Sequence, residues 1–240
     1  MKRKGFYQFI NEGIKKMGFD IRRFPSKSQH ELLKYLEKNN VNTCFDVGAN
    51  IGQYGQFVRS IGYAGKIISF EPQKKAFAEL KKKAAKDATW EVYNIGLGDW
   101  DGNSVINISE NSVSSSILDI SEMLVNTISE TTYVAVEDIV VNRLDTFVCK
   151  AGLKDNFFLK IDAQGFESKI LKGTEACFGQ VYALQLELAF ITLYKEEKLF
   201  DEMKKNIEDK GFYISHIESN FSNPNDGRLL QADVIFLREI

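Results

Sequence analysis

Apolar positions along the chain change their period several times, and each change marks an element. Val41–Val47 is a β-rich apolar run that stops at Gly48, and Gln53–Ile61 has helical spacing. Lys66–Glu71 is a second apolar strand, Gln73–Lys86 is a Lys/Ala-rich helix begun after Pro72, and Trp90–Ile95 is a third strand. Residues 96–132 are rich in Gly, Ser and Asn without a strong period, so they read as irregular, with 109–121 as a serine-rich loop. Tyr133–Val136 and Ile139–Val141 read as two short strands around an acidic turn. Asn156–Asp162 is a strand whose Phe157-Phe158-Leu159 run predicts burial on both faces. Phe166–Lys172 is a helix closed by Gly173, Val181–Leu188 a strand, and Lys195–Lys210 a long helix closed by Gly211. Phe212–Glu218 and Leu229–Arg238 are strands around the turn Asn223-Pro224-Asn225-Asp226-Gly227.

Strands alternating with helices predict an α/β fold, a doubly wound and mostly parallel sheet covered on both faces. The last two strands are joined by about ten residues, too few for a parallel crossover, so they form an antiparallel hairpin. Near the start, Ser28-Gln29-His30-Glu31 reads as a capping box with Ser28 as N-cap, opening a helix through Leu32, Leu33 and Leu36. His30 falls in its first turn and reads as a surface residue. Ahead of it, Phe6, Phe9, Ile10, Ile14 and Met17 keep helical steps, and residues 1–34 carry nine Lys/Arg against three Asp/Glu. The expected organisation is therefore a basic amphipathic extension over 1–27 and one domain over 28–240. Residues 1–22 either touch a membrane surface or a partner, or dock on the main domain.

Composition narrows the function classes. With 44% hydrophobic and 27% charged residues over 240 positions, the chain is an ordinary globular protein. No window approaches the ~18 apolar residues of a membrane span, and the N-terminus lacks the apolar core of a secretory signal. A net charge of −2 argues against a general polyanion-binding surface, so no nucleic acid is expected as a partner. Cys44, Cys149 and Cys177 form no C-x-x-C pair and only two histidines exist, so no metal site is expected. A reducing, cytoplasmic location fits, at the inner membrane surface if the extension binds there.

The strongest chemical signal is Asp46-Val47-Gly48-Ala49-Asn50-Ile51-Gly52-Gln53, which follows the first strand and opens a helix. Such a turn at the start of a doubly wound sheet is a nucleotide-type site. The dinucleotide fingerprint needs glycine at 48, 50 and 53, and the chain has Asn50 and Gln53 there. What remains is D-x-G-x-x-x-G, whose carboxylate would repel a pyrophosphate and suit a cationic ligand. Glu71 ends the second strand, where it either takes both hydroxyls of a ribose or stabilises the following helix start. Asn94-Ile95-Gly96-Leu97-Gly98-Asp99 follows the third strand, where a base edge could be met or a turn formed. Asp162 ends a buried strand at the carboxyl edge of the sheet. In Leu184-Gln185-Leu186-Glu187-Leu188 the alternation puts Gln185 and Glu187 on one face. Asp162 and Glu187 can orient a hydroxyl and accept its proton, with His216 as a third candidate; an ion pair with Lys160 or Lys169 is the structural alternative for Glu187.

In this order and spacing, DVGANIGQ, FEP, SVSSSIL, LKIDAQGFE, LQLELA and GRLLQADVIF resemble the FkbM-type methyltransferases over about residues 28–238. The resemblance implies a class I fold, a seven-stranded, mostly parallel sheet with an antiparallel C-terminal hairpin, and S-adenosylmethionine as cofactor. It implies that Asp46, Gly48, Asn50, Gly52 and Gln53 hold the methionine part. Glu71 would hold the ribose, Asn94 and Gly96 would lie near the adenine, and Asp162 would face the methyl-transfer site. It implies O-methylation of a hydroxyl on a sugar of a surface polysaccharide, or on a polyketide-like metabolite. An NAD-type oxidoreductase, a nucleic-acid methyltransferase and a non-catalytic binding module are the competing classes. Asn50 and Gln53 disfavour the first, the absence of adjacent prolines and of a Pro-Cys pair the second, and an intact glycine loop the third.

Overall fold

The structure is a computed structural model and describes residues 14–16, 18, 24–110, 114–127 and 131–240. In chain order the elements are α1 (Lys27–Lys38), β1 (Val41–Val47), α2 (Gln53–Ile61), β2 (Lys66–Phe70), α3 (Lys74–Ala84) and β3 (Trp90–Tyr93). There follow β4 (Gly96–Leu97), β5 (Gly102–Ser109), α4 (Glu122–Thr127), β6 (Tyr133–Asn142), α5 (Leu144–Ala151) and β7 (Asn156–Ile161). The chain closes with α6 (Glu167–Lys172), β8 (Val181–Ala189), α7 (Phe200–Glu208), β9 (Phe212–Ser222) and β10 (Leu229–Arg238).

Seven strands form the main sheet in the order β3-β2-β1-β7-β8-β10-β9. Pairing is parallel from β3 through β8, and β10 runs antiparallel to both β8 and β9. This is the expected doubly wound sheet with its C-terminal hairpin. Alternation explains why the central strands are apolar throughout. Phe157 and Leu159 pack into the cluster on one face with Phe45 and Leu184, and Phe158 packs into the other with Cys44, Val58 and Trp90. The strand order reverses between β2-β1 and β1-β7, which opens a crevice at the carboxyl edge where ligands bind in such sheets.

Several expectations shift. The capping box is Ser26 with Gln29, not Ser28 with Glu31: the Gln29 N–H donates to Ser26 Oγ at 3.3 Å and the Ser26 N–H to Gln29 Oε1 at 2.8 Å. The helix α1 is therefore capped at Ser26, and His30 is exposed on it. The two short strands around an acidic turn are one strand, β6. Its partly buried Glu137 accepts the Lys74 N–H that opens α3, so Glu137 marks an anchoring site and no turn. The stretch 96–132 holds β4, β5 and α4; with β6, the first two make a second sheet in the order β4-β6-β5. The long helix over 195–210 is α7 alone. Glu196 is left-handed (φ 63°), and the Glu197 carboxylate accepts the N–H groups of Leu193 and Tyr194, which ties 193–197 into a loop. The amphipathic segment expected over 1–22 lies almost wholly outside the described residues.

Candidate active site

A cavity of about 620 Å³ opens at the carboxyl edge, lined from one side by the β1 and β2 ends and from the other by the β7, β8 and β10 side. The glycines of the first turn make room for protein packing. Gly48 has φ 72°, and a Cβ there would stand 1.8 Å from the Asp162 carbonyl oxygen. Gly52, with φ 86°, sits against Leu80 and Trp90. The close fit at Gly48 clamps the β1 turn to the β7 turn, and the Asp162 N–H donates to the Val47 carbonyl at 3.1 Å.

Glu71 is buried and lines the cavity. Its Oε2 accepts the Asn50 N–H and its Oε1 the Gln73 N–H, each at 2.8 Å. Burial pushes its carboxyl up to about 7, although these two backbone donors favour the charged form. Asn94 clamps the turn beneath it, donating from Nδ2 to the carbonyls of Glu71 and Pro72 at 2.9 Å.

Across the cavity, Glu187 is held by side-chain amides. Gln164 Nε2 donates to its Oε2 at 2.7 Å, Gln231 Nε2 to the same oxygen at 3.1 Å, and Asn220 Nδ2 to its Oε1 at 2.5 Å. Burial, reinforced by Asp162, Glu167 and Asp233 and opposed by Lys160, holds the Glu187 carboxyl well above the usual carboxylate range. Burial also lifts Glu167 to about 8 and Asp233 to about 6. Lys160 stands at the centre, 3.3 Å from Asp46 and 3.6 Å from Asp162. Burial pulls its ammonium down, and the carboxylates of Asp162 and Asp46 outweigh that and hold it charged.

Of the expected site residues, Gly48, Asn50, Gln53, Glu71, Gly96, Asp162 and Glu187 line this one cavity. Asp46, Gly52, Asn94 and His216 do not line it. Asp46 is fully buried beneath the turn, taking the Ser69 hydroxyl at 2.9 Å and the Lys160 ammonium. The carboxylate expected to meet a cationic ligand thus has its cation inside the protein. His216 is half-buried on β9 opposite Ile235. Nor is Glu187 bound up in a lysine pair: its hydrogen-bond partners are the three amides. Sequence reasoning missed Gln164, Tyr194, Asn220 and Asp233 as lining groups; Asn220 lies just beyond the predicted end of the ninth strand, where no local signal marks it.

The lining suits S-adenosylmethionine. Phe70, Pro72, Ile95 and Leu97 give an apolar wall for a flat base, and Glu71 gives an acceptor for vicinal hydroxyls. Glu71, Asp162, Glu187 and Asp233 against Lys160 make an anionic interior for a ligand that carries a sulfonium and an ammonium.

The FkbM methyltransferase domain matches residues 46–214. No curated protein matches the sequence. The chain is similar in structure to an rRNA methylase from Streptococcus thermophilus, at a TM-score of 0.48 and 11% identity over 91% of this chain and 100% of that one. It is similar to M. capricolum TrmK in complex with S-adenosyl-homocysteine, at a TM-score of 0.48 and 8% identity over 90% and 70% of the two chains. It is also similar to Streptococcus pneumoniae Sp1610 in complex with S-adenosyl-L-methionine, at a TM-score of 0.46 and 12% identity over 89% and 72%. The domain match, over most of the chain and including the glycine turn, Glu71, Asp162 and Glu187, makes this protein a member of the FkbM methyltransferases, with S-adenosylmethionine as its methyl donor.

Proposed function

We propose that the protein is an O-methyltransferase whose acceptor is a hydroxyl of a sugar or glycan. The observation that carries this reading is the charge of the cavity. Among the described lining residues four are carboxylates and Lys160 is the one cation, already engaged by Asp46 and Asp162. A phosphodiester strand would be repelled from such a lining. A neutral polyhydroxylated acceptor meets hydrogen-bonding groups instead: the Gln231 and Asn220 amides and the Ser114–Ser116 stretch.

S-adenosylmethionine, when bound, supplies an electrophilic methyl group on a sulfonium. Glu71 would hold the ribose side through its carboxylate, which the Asn50 and Gln73 N–H groups keep in place. Gly96 and its neighbours would flank the base, and Asp162 would face the cationic end. Glu187 accepts the proton of the acceptor hydroxyl as its oxygen bonds to the methyl carbon. The proton of the acceptor hydroxyl would stay on Glu187. The raised proton affinity of Glu187 suits that role, because a strongly acidic carboxyl would be a poor acceptor for an alcohol proton.

The test is incubation with methyl-labelled S-adenosylmethionine and two acceptor sets, a panel of neutral mono- and oligosaccharides and bulk tRNA plus rRNA. The reading expects label in a saccharide as a methyl ether stable to alkali. Label in RNA, with none in the saccharides, contradicts it.

A further inference from the structure

Between Asp162 and Glu187 lies one neutral amide. Gln164 has φ 52°, in the left-handed region that a residue with a side chain rarely adopts. Its Nε2 donates to Asp162 Oδ1 at 2.9 Å and to Glu187 Oε2 at 2.7 Å. Its Oε1 accepts the Tyr194 hydroxyl at 2.7 Å, and its backbone carbonyl accepts Ser116 Oγ at 2.8 Å. An amide side chain has two N–H donors and one carbonyl acceptor, and all are used here. Reversing the amide would set its oxygen against two carboxylates, so the orientation is fixed. Tyr194, itself 1% exposed, locks it from behind.

We infer that Gln164 is the positioning residue of the methyl transfer, with its amide keeping Asp162 and Glu187 apart and aiming Glu187 at the acceptor hydroxyl. The inference rests on the reading of Glu187 as the base. The groups facing Glu187 show why a spacer is needed. Asp162 and Lys160 face it from the β7 side, Glu167 from α6 and Asp233 from β10, while Asn220 on β9 and Gln231 on β10 add neutral amides. Burial first, reinforced by three carboxylates against one ammonium, favours the protonated form of Glu187. Hydrogen-bond donors oppose that shift, and of the three amides Gln164 alone also binds Asp162.

Glutamate carboxyls labelled with an NMR-active carbon test this in the whole protein, with the Glu187 resonance assigned by its loss in Glu187→Gln. In Gln164→Met the Glu187 midpoint is expected to rise by about one pH unit or more, the effect of losing one charge-assisted hydrogen bond. Tyr194→Phe, which keeps the amide and frees its far end, is expected to move it the same way by less. A Glu187 midpoint unmoved in Gln164→Met overturns the inference and leaves Glu187 as base intact. If Gln164→Met does not fold, an unmoved midpoint in Tyr194→Phe overturns it. Wild-type turnover in Glu187→Gln overturns the base reading instead, and the inference with it.

Discussion

The two sides of the cavity hold their key carboxylates by different means. On the β1–β2 side, Glu71 is fixed by backbone N–H groups of Asn50 and Gln73, from the turn before α2 and the turn before α3. On the β7–β8–β10 side, Glu187 is fixed by side-chain amides from three places, the β7 turn, β9 and β10. A backbone donor survives any substitution except proline. A side-chain donor is lost with one substitution and can be retuned as easily. On the proposed reading, the side that would hold the cofactor is built for a constant ligand, and the side that would hold the acceptor for a geometry that depends on particular residues.

The sharpest way to break this arrangement is at the clamp between the two sides. Gly48→Ala sets a Cβ 1.8 Å from the Asp162 carbonyl at a positive φ, so the β1 and β7 turns must separate. The expected result is the largest drop of the series in the urea unfolding midpoint, with cofactor binding lost. Next, Glu187→Gln keeps the shape and removes the proton acceptor. Single-turnover methyl transfer should fall ~10²-fold or more, while cofactor affinity by calorimetry stays near wild type. Third, Glu71→Ala removes two charge-assisted bonds to a ribose and should weaken cofactor binding tenfold or more.

The proton balance of Glu71 gives a finer test. Its folded value, about 7, lies above the ordinary 4.5, so the folded state holds the proton more tightly than the unfolded one. Its contribution to stability is therefore full below about 4.5 and is lost as pH rises through about 7. Apo-protein stability should decline across that window, and Glu71→Gln should flatten the decline. Cofactor affinity should run the other way, rising toward pH 7 as the carboxylate becomes available. The smallest effects belong to single amides: Gln231→Ala, at a buried site, should slow turnover about tenfold, and the more exposed Asn220→Ala by less.

The same contrast explains what could be seen in the sequence. Glu71 and its two donors are 21 and 2 residues apart in the chain, so the glycine turn and the strand end announce them together. β1, α2 and the C-terminal hairpin pairing were legible because local period, glycine and loop length all agreed. Gln164, Asn220 and Gln231 stand 23, 33 and 44 residues from Glu187, and only the folding of β8, β9 and β10 brings them together. Asp46 was legible as a carboxylate at the right place, and its partner was not: whether it faces ligand or Lys160 depends on which side of β1 the turn leaves open. β5 was hidden because its Asn and Ser positions carry no strand preference, and β6 because Glu137 and Asp138 imitate a turn.

The central claim is that an amide-held carboxylate on the acceptor side removes the proton of a sugar hydroxyl. The measurement that meets it most directly is the single-turnover rate of label transfer from S-adenosylmethionine to the saccharide panel, in wild type and in Glu187→Gln at matched cofactor saturation. The account predicts a methyl ether formed by the wild type and a rate at least ~10²-fold lower in the variant, with cofactor affinity retained. Equal rates in the two proteins, or methylation of RNA in place of saccharide, would contradict it.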